Sequence, residues 1–171
     1  PAQKHPALSG AAIDGGARPD RHPDLSRRLI RASDRASLAT TLADGSNAPY
    51  ASLVMTACGH DASPLLLISD LAEHTKNLRT DPRCSLLFDG TTGLETPLTG
   101  ARISVQGTAR EVQVDSLLVR FFRLHPSSSG YSVFSDFHLF HVHMLRVHLV
   151  AGFCRIHWFV ALVVLHDFCS F

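Results

Sequence analysis

Alternating and wholly apolar segments run through the middle of the chain and predict a mainly β fold. In the segment 101–110, apolar or small residues occupy every second position, so one face of a strand would be buried and the other polar. The segment 65–68 is apolar throughout, which is typical of a strand buried on both faces. Similar patterns predict further strands at 36–42, 50–57, 85–88, 137–145 and 146–153.

Helical patterns are short and lie between these strands. Apolar residues at helical spacing predict helices at 24–34, 116–124 and 131–136. Asp70 and Glu73 have the spacing of a capping box, which places the start of another helix near Leu71, and Asp81-Pro82 would end it. Most connections are too short for parallel crossovers. The pattern therefore predicts a small, six-stranded antiparallel barrel with Greek-key character.

Size and charge limit the classes of protein that the chain could belong to. Its 171 residues are enough for one domain with a hydrophobic core. With 16 Lys+Arg against 15 Asp+Glu, charge gives no indication of a nucleic-acid or anionic-membrane partner. No apolar run reaches the roughly 18 residues that span a bilayer, and no apolar signal segment follows the first residues. We therefore expect a cytoplasmic protein whose four scattered cysteines are reduced thiols.

Composition divides the chain into three predicted parts. Residues 1–23 contain a stretch rich in Pro, Gly and Ala and are expected to form a disordered or extended arm. The barrel domain is predicted over 24–158. Residues 159–171 form an atypical apolar tail, which would favour aggregation if it were exposed. We expect this tail either to pack in a subunit interface or not to be the native terminus.

The helix after residue 70 is the most informative local segment for function. At 100° per residue, one helix face carries Leu71, His74, Thr75 and Leu78. An imidazole and a hydroxyl beside an apolar stripe can bind a phosphate or another anion. The helix N-terminus would help the anion, although Asp70 and Glu73 compete for it. The alternative is a helix that only plugs one end of the barrel, with His74 bonded to a backbone carbonyl.

Eleven histidines are many for this length, and several cluster late in the chain. Alternation places His141 and His143 on one strand face, His138 on the other and His148 on the next strand. Two histidines at i, i+2 do not complete a metal site, so no metal ligands are predicted. Surface or interface histidines, adventitious metal binding and haem ligation remain the alternatives for these residues and for His22.

Several segments, in this order and spacing, resemble the flavin-binding split barrels related to pyridoxamine 5′-phosphate oxidase, and most closely their haem-utilisation branch. The matching segments are 36–42, 49–54, 65–69, 71–78, 81–83, 100–107 and 148–153. The resemblance implies a six-stranded split β-barrel that forms a homodimer with itself. It also implies FMN in clefts between the subunits, and a flavin-dependent oxidoreductase of unknown substrate.

The resemblance also implies a set of cofactor-binding residues. The backbone of the second strand would lie along the flavin ring, the start of the next helix near the phosphate, and two further side chains around the cleft. In this order they are Ser52, Leu53 and Val54; Ser69, His74 and Thr75; and Gln106 and Trp158. No residue is predicted to be catalytic.

Flavin oxidases of this family usually carry Arg or Lys on the second strand, where this chain has Ala51 or Ser52. They also carry a Ser-Arg-Lys cluster at the helix start. A histidine is a weaker, pH-dependent partner for a phosphate than these cations. The alternative is therefore a haem-binding or haem-utilisation protein on the same barrel, without flavin.

Overall fold

A computed structural model describes residues 21–133, 135–152 and 155–165. Its strands are β1 (Arg35–Thr41), β2 (Pro49–Cys58), β3 (Pro64–Ser69), β4 (Arg83–Asp89), β5 (Ala101–Glu111), β6 (Phe137–Ala151) and β7 (Ile156–Val160). Its α-helices are α1 (Arg21–Ala32), α2 (Glu73–Thr80), α3 (Asp115–Leu124) and α4 (Leu162–Leu165). Two 3-10 helices, Pro97–Thr99 and Pro126–Val133, complete the described elements.

Six antiparallel strands close into a barrel, which confirms the predicted fold class. The sheet runs in the order β3-β2-β1-β4-β5-β6-β7, and an additional pairing of β3 with β6 closes it. In that closing pair Leu65 lies opposite His141, and Ser69 lies opposite Phe137. β7 stays outside the ring and, among the described strands, pairs with the second half of β6 alone.

The interior of the barrel is formed by the apolar residues that alternate with polar ones along the strands. Inward residues of β5 and β6 such as Ile103, Val105 and Leu149 have no exposed surface, while their neighbours along the strand are partly exposed. β3 is buried on both sides along most of its length, as its apolar run predicts. The core is therefore a set of branched aliphatic side chains with Phe88 and Phe140 among them.

A β-bulge bends β6 where it crosses β5. Gln106 pairs with Arg146 and Gly107 with Met144, so Leu145 is the extra residue. The two backbones lie very close here. A Cβ on Gly107 would overlap the carbonyl oxygen of His143 and lie 3.1 Å from the Cα of Met144. Only glycine fits at this crossing.

The end of the chain differs from the sequence prediction in two ways. The segments 137–145 and 146–153 were expected to be two strands, but one strand runs through 137–151, because the bulge turns it without breaking the pairing. The segment after residue 155 forms β7 and α4. Ala161 and Val164 are buried in the main core, so the described part of the apolar tail packs on the barrel of its own chain.

The predicted arm lies outside the described residues up to position 20, and α1 begins at Arg21. Cys154 and Cys169 also lie outside them, while Cys58 and Cys84 are buried free thiols. Within the described residues, no helix has the length and apolar character needed to cross a membrane.

Candidate functional site

The helix α2 lies across one end of the barrel, and it begins two residues later than the sequence predicts. Its first residue is Glu73, and the N-cap is Ala72, which makes no side-chain capping bond. The expected capping box does not form, because the carboxylate of Asp70 contacts Arg79 at 2.6 Å and His138 at 3.1 Å instead. Leu71 consequently lies outside the helix and is 83% exposed, so its predicted inward position is wrong.

A charged network fixes the position of α2 against β5 and β6. His138 bridges two carboxylates, with Nε2 3.1 Å from Asp70 and Nδ1 2.7 Å from Glu111. Arg79 contacts the same two carboxylates from the helix. The hydrogen bond from His138 is the largest cause and lowers the pKa of Asp70, and the adjacent Arg79 guanidinium lowers it further. His138, which the sequence left open, is therefore a structural partner of α2.

The residues that the resemblance assigned to the phosphate are only partly available to a ligand. Thr75 is fully buried, and its hydroxyl donates to the carbonyl of Ser69 at 2.6 Å. The hydroxyl of Ser69 donates to Asp136 at 2.8 Å and accepts from the N–H of Leu71 at 3.1 Å. Both hydroxyls thus hold the turn between β3 and α2 together.

His74 is half-buried and contacts β2. Its Nδ1 lies 3.1 Å from the hydroxyl of Ser52, which brings two predicted residues together. Burial lowers the pKa of His74 below its ordinary value, because the charged imidazolium loses solvation there. Lys76 is paired with Glu73 at 3.2 Å on the exposed side of the helix. The helix therefore presents a neutral imidazole near neutral pH, rather than a cation, at this position.

Asn77 is a site-positioning residue that the sequence analysis missed. It is fully buried; its amide nitrogen donates to the hydroxyl of Thr40 at 3.0 Å, and its amide oxygen accepts from the N–H of Ala43 at 3.0 Å. These bonds tie α2 to β1 and to the loop before β2. The helical projection gave no signal for it, because the predicted inward face was centred on Leu71 and His74.

We expect Asn77→Ala to reduce the free energy of unfolding by about 2 kcal/mol, because the buried Thr40 hydroxyl would lose its partner and the partly buried bond to the N–H of Ala43 would also be lost. Chemical denaturation followed by circular dichroism measures this loss. Lys76→Ala is the matched control on the exposed side, where one surface ion pair contributes about 0.5 kcal/mol or less. Equal losses in the two variants would show that the Asn77 bonds do not hold α2.

The remaining predicted residues separate into inner and outer positions of the sheet. Val54 is 4% exposed and points into the core, so only its backbone could contact a ligand. Leu53 points outward and is 69% exposed. Cross-strand pairing places it in one row across six strands: Leu53, Ser37, Leu87, Ser104, His148 and Trp158. Within one chain, Leu53 and Trp158 lie at opposite ends of this row, five strand spacings or roughly 24 Å apart along the sheet.

A second outer row lies beside the first and contains Ala51, Ala39, Ser85, Gln106, Arg146 and Val160. Together the two rows, here called the outer face, carry a single charged side chain, Arg146. Leu53, Trp158 and Val160 are each more than half exposed on it. An outward sheet surface with so few charges is typical of a face that another molecule covers.

Four side chains group together at one end of the outer face. Arg146 donates from Nε to the amide oxygen of Gln106 at 2.6 Å, and its guanidinium lies 4.9 Å from the Trp158 ring centroid. His148 stacks on Trp158 with ring centroids 4.3 Å apart. Within the described chain, no residue forms a hydrogen bond with either ring nitrogen of His148. The structure thus joins the predicted Gln106 and Trp158 through Arg146, which the sequence analysis did not single out.

The other late histidines are placed differently. Nε2 of His141 forms a hydrogen bond of 2.8 Å with the hydroxyl of Ser63. His143 is exposed on the same strand. His22 stacks on His157 at 4.0 Å, where α1 meets β7. His148 is the late histidine that combines a half-buried position with an apolar aromatic neighbour and a nearby cation.

The closed six-stranded barrel, with α2 across one end and an outward face of small and apolar residues, defines a split β-barrel protein. The chain belongs to the pyridoxamine 5′-phosphate oxidase family, whose family model matches residues 23–151.

Relatives of known name include proteins connected with haem. The chain is 36% identical over 107 residues to the chloroplastic non-canonical heme oxygenase HOZ of Arabidopsis thaliana, covering 61% of this chain and 32% of that protein. It therefore spans about a third of the length of the curated relative that it matches.

Solved structures have the same fold. A heme binding protein from Mycobacterium smegmatis superposes with a TM-score of 0.76 and 26% identity, over 87% of this chain and 61% of that one. HutZ, the heme storage protein from Vibrio cholerae, superposes with a TM-score of 0.56 and 21% identity, over 81% and 93% of the two chains. The haem-utilisation resemblance seen in the sequence is therefore confirmed.

Proposed function

We propose that the protein binds haem on the outer face of its barrel, where His148 would supply an imidazole nitrogen to the iron. The observation that carries this proposal is the group of His148, Trp158 and Arg146. His148 offers an imidazole without a described hydrogen-bond partner, held in place by stacking on Trp158, and the guanidinium of Arg146 could pair with one of the two carboxylates of an iron porphyrin. The names of the relatives, a heme oxygenase and a heme binding protein, support the same ligand.

The face is open in a single chain, so the proposal includes a homodimer. Haem is held in an apolar slot, whereas one sheet surface supplies only one wall. A second copy packed on the outer face would supply the other wall and bury Leu53, Leu87 and Trp158, which are each 40% exposed or more. The two-fold arrangement of most homodimers could bring Trp158 of one subunit towards Leu53 of the other.

FMN is the second candidate, and it is favoured by the family match over residues 23–151 together with the Ser52–His74 contact. The predicted phosphate residues fit this cofactor poorly. A phosphate dianion binds best to Arg or Lys, whereas here Thr75 is buried, Ser69 is already bonded and burial lowers the pKa of His74. We therefore place haem ahead of flavin.

Absorption spectroscopy of the purified protein, titrated separately with haemin and with FMN, tests the two candidates. We expect haemin to give a shifted Soret band that remains after gel filtration, and FMN to be lost on the same column. His148→Ala should lose that shifted band, because the iron would lose its imidazole ligand. His143→Ala, an exposed histidine of the same strand, is the matched control and should keep it.

Three outcomes would count against these assignments. An identical Soret band in His148→Ala and the wild type would remove His148 as the ligand. Retention of FMN but not haemin would overturn the haem proposal in favour of flavin. For the flavin site itself, an FMN affinity that is unchanged at pH 6 in His74→Ala would show that His74 does not contact the phosphate.

A further inference from the structure

A groove rich in arginine lies between α1, the end of β2 and α3, away from the outer face and from His74. It has a volume of about 620 Å³. Its polar lining comes mainly from Arg31, Arg120, Arg123 and His60, and its apolar lining includes Ala57, Val119 and Leu124. None of the described residues that line it is acidic.

Backbone carbonyls of one turn hold two of these guanidinium groups in place. Arg120 donates from Nε to the carbonyl of Cys58 at 2.5 Å, and one of its terminal nitrogens lies 3.4 Å from both ring nitrogens of His60. Arg31 donates to the carbonyl of His60 at 2.7 Å. A carbonyl oxygen orients the guanidinium plane of Arg120 but carries no full negative charge, so this contact does not neutralise the Arg120 cation.

Ion pairing inside the chain does not neutralise the two arginines of α3. Among the described residues, no carboxylate lies within ion-pair distance of Arg120 or Arg123. This contrasts with Arg79 and Arg83, which each contact an aspartate at 2.6 Å. Arg120, which is oriented by a carbonyl, and Arg123 therefore have no described carboxylate partner, and such a pair favours an oxyanion, which arginine can bind through two parallel hydrogen bonds.

The apolar lining narrows the class of ligand further. Val119 and Leu124 are 51% and 47% exposed at the mouth of the groove, and Ala57 forms part of its lining. A bare inorganic ion would leave these side chains in water, whereas a ligand with a small hydrocarbon body would cover them. We propose that this arginine groove binds a small organic oxyanion, with a phosphate or carboxylate group on a short apolar body.

Calorimetric titration of the full chain with phenyl phosphate, benzoate and inorganic phosphate tests the proposal. We expect at least one of the two aromatic ligands to bind about tenfold more tightly than inorganic phosphate, and the tighter one identifies the head group. Arg123→Gln should weaken this binding about tenfold, because a charge-assisted hydrogen bond is lost. Arg123 makes no described hydrogen bond, so this substitution should not disturb folding.

Arg28→Gln is the matched control, because Arg28 is exposed on α1 but does not line the groove. Equal affinities of the Arg123→Gln and Arg28→Gln variants would overturn the proposal. So would equal binding of inorganic phosphate and both aromatic ligands, since the apolar lining would then contribute nothing. Arg120→Gln, tested after its circular dichroism spectrum matches that of the wild type, gives a second and independent measurement.

Discussion

Gly107→Ala is expected to destabilise the protein by about 3 kcal/mol or more, at the upper end of the cost of overpacking a core. The added methyl group would overlap the carbonyl oxygen of His143 and crowd the Cα of Met144. Both are backbone atoms of the neighbouring strand, so no side chain can rotate away. Relief requires β5 and β6 to separate at the bulge, which would disturb the longest pairing in the barrel.

Chemical denaturation measures this change as a lower midpoint, and Gly130→Ala is the matched control. A Cβ at Gly130 would meet no atom within 4 Å, so this variant should remain within about 0.5 kcal/mol of the wild type. A Gly107→Ala protein as stable as Gly130→Ala would mean that the two strands do not approach as closely as the bulge requires.

Val164→Asn is the second substitution with a large expected effect, about 3 kcal/mol. Val164 has no exposed surface and belongs to the main core, although it lies in the four-residue helix α4. The asparagine would lose the burial of an aliphatic side chain and would bring an amide into an apolar setting without a partner. The loss is limited, because α4 can detach from the barrel and let the amide reach water.

Val163→Asn, at the adjacent position, is the control for this prediction. Val163 is 38% exposed, so the same change of side chain should cost less than about 1 kcal/mol there. Thermal unfolding of the two variants in parallel gives the comparison. Equal melting temperatures would show that the segment after β7 does not pack on the core in solution.

The strands were predictable because buried and exposed residues alternate along them in step with the apolar and polar residues of the sequence. In β5 the residues at 103, 105, 107 and 109 are buried, as the pattern requires, and β3 is buried on both faces, as its apolar run indicates. The antiparallel barrel follows from the short connections between such strands. The closing pair of β3 with β6 joins segments that are distant along the chain, and no local pattern specifies it.

Tertiary contacts overrode the local signals in three places. Asp70 has the spacing of a helix cap, but Arg79 and His138 hold its carboxylate, so α2 starts later. The sequence predicts Asn77 as a polar residue of the helix. It is nevertheless buried, because its side-chain amide forms hydrogen bonds with Thr40 and Ala43. The sequence of β6 predicts two strands, because the extra residue Leu145 shifts the alternation of apolar and polar residues without ending the pairing with β5.

The candidate site was predictable only as a list of residues. The structure brings Ser52 and His74 into contact and places Trp158 on the outer face, but the role of these residues towards a cofactor stays a prediction. The sequence could not show that the hydroxyls of Ser69 and Thr75 are engaged, since their partners are Asp136 and a backbone carbonyl. Nor could it join Gln106 to Trp158, because Arg146 links them across three strands.

Closure of the barrel by β3 and β6 has a consequence for how the chain acquires its structure. The pairing of Leu65 with His141 joins segments separated by most of the domain, so the entropy of closing that loop must be overcome late in folding. β1 with β2, and β4 with β5 and β6, can form earlier from nearby segments. Until β6 has been synthesised, the edge of β3 has no partner strand and is open to association with other chains.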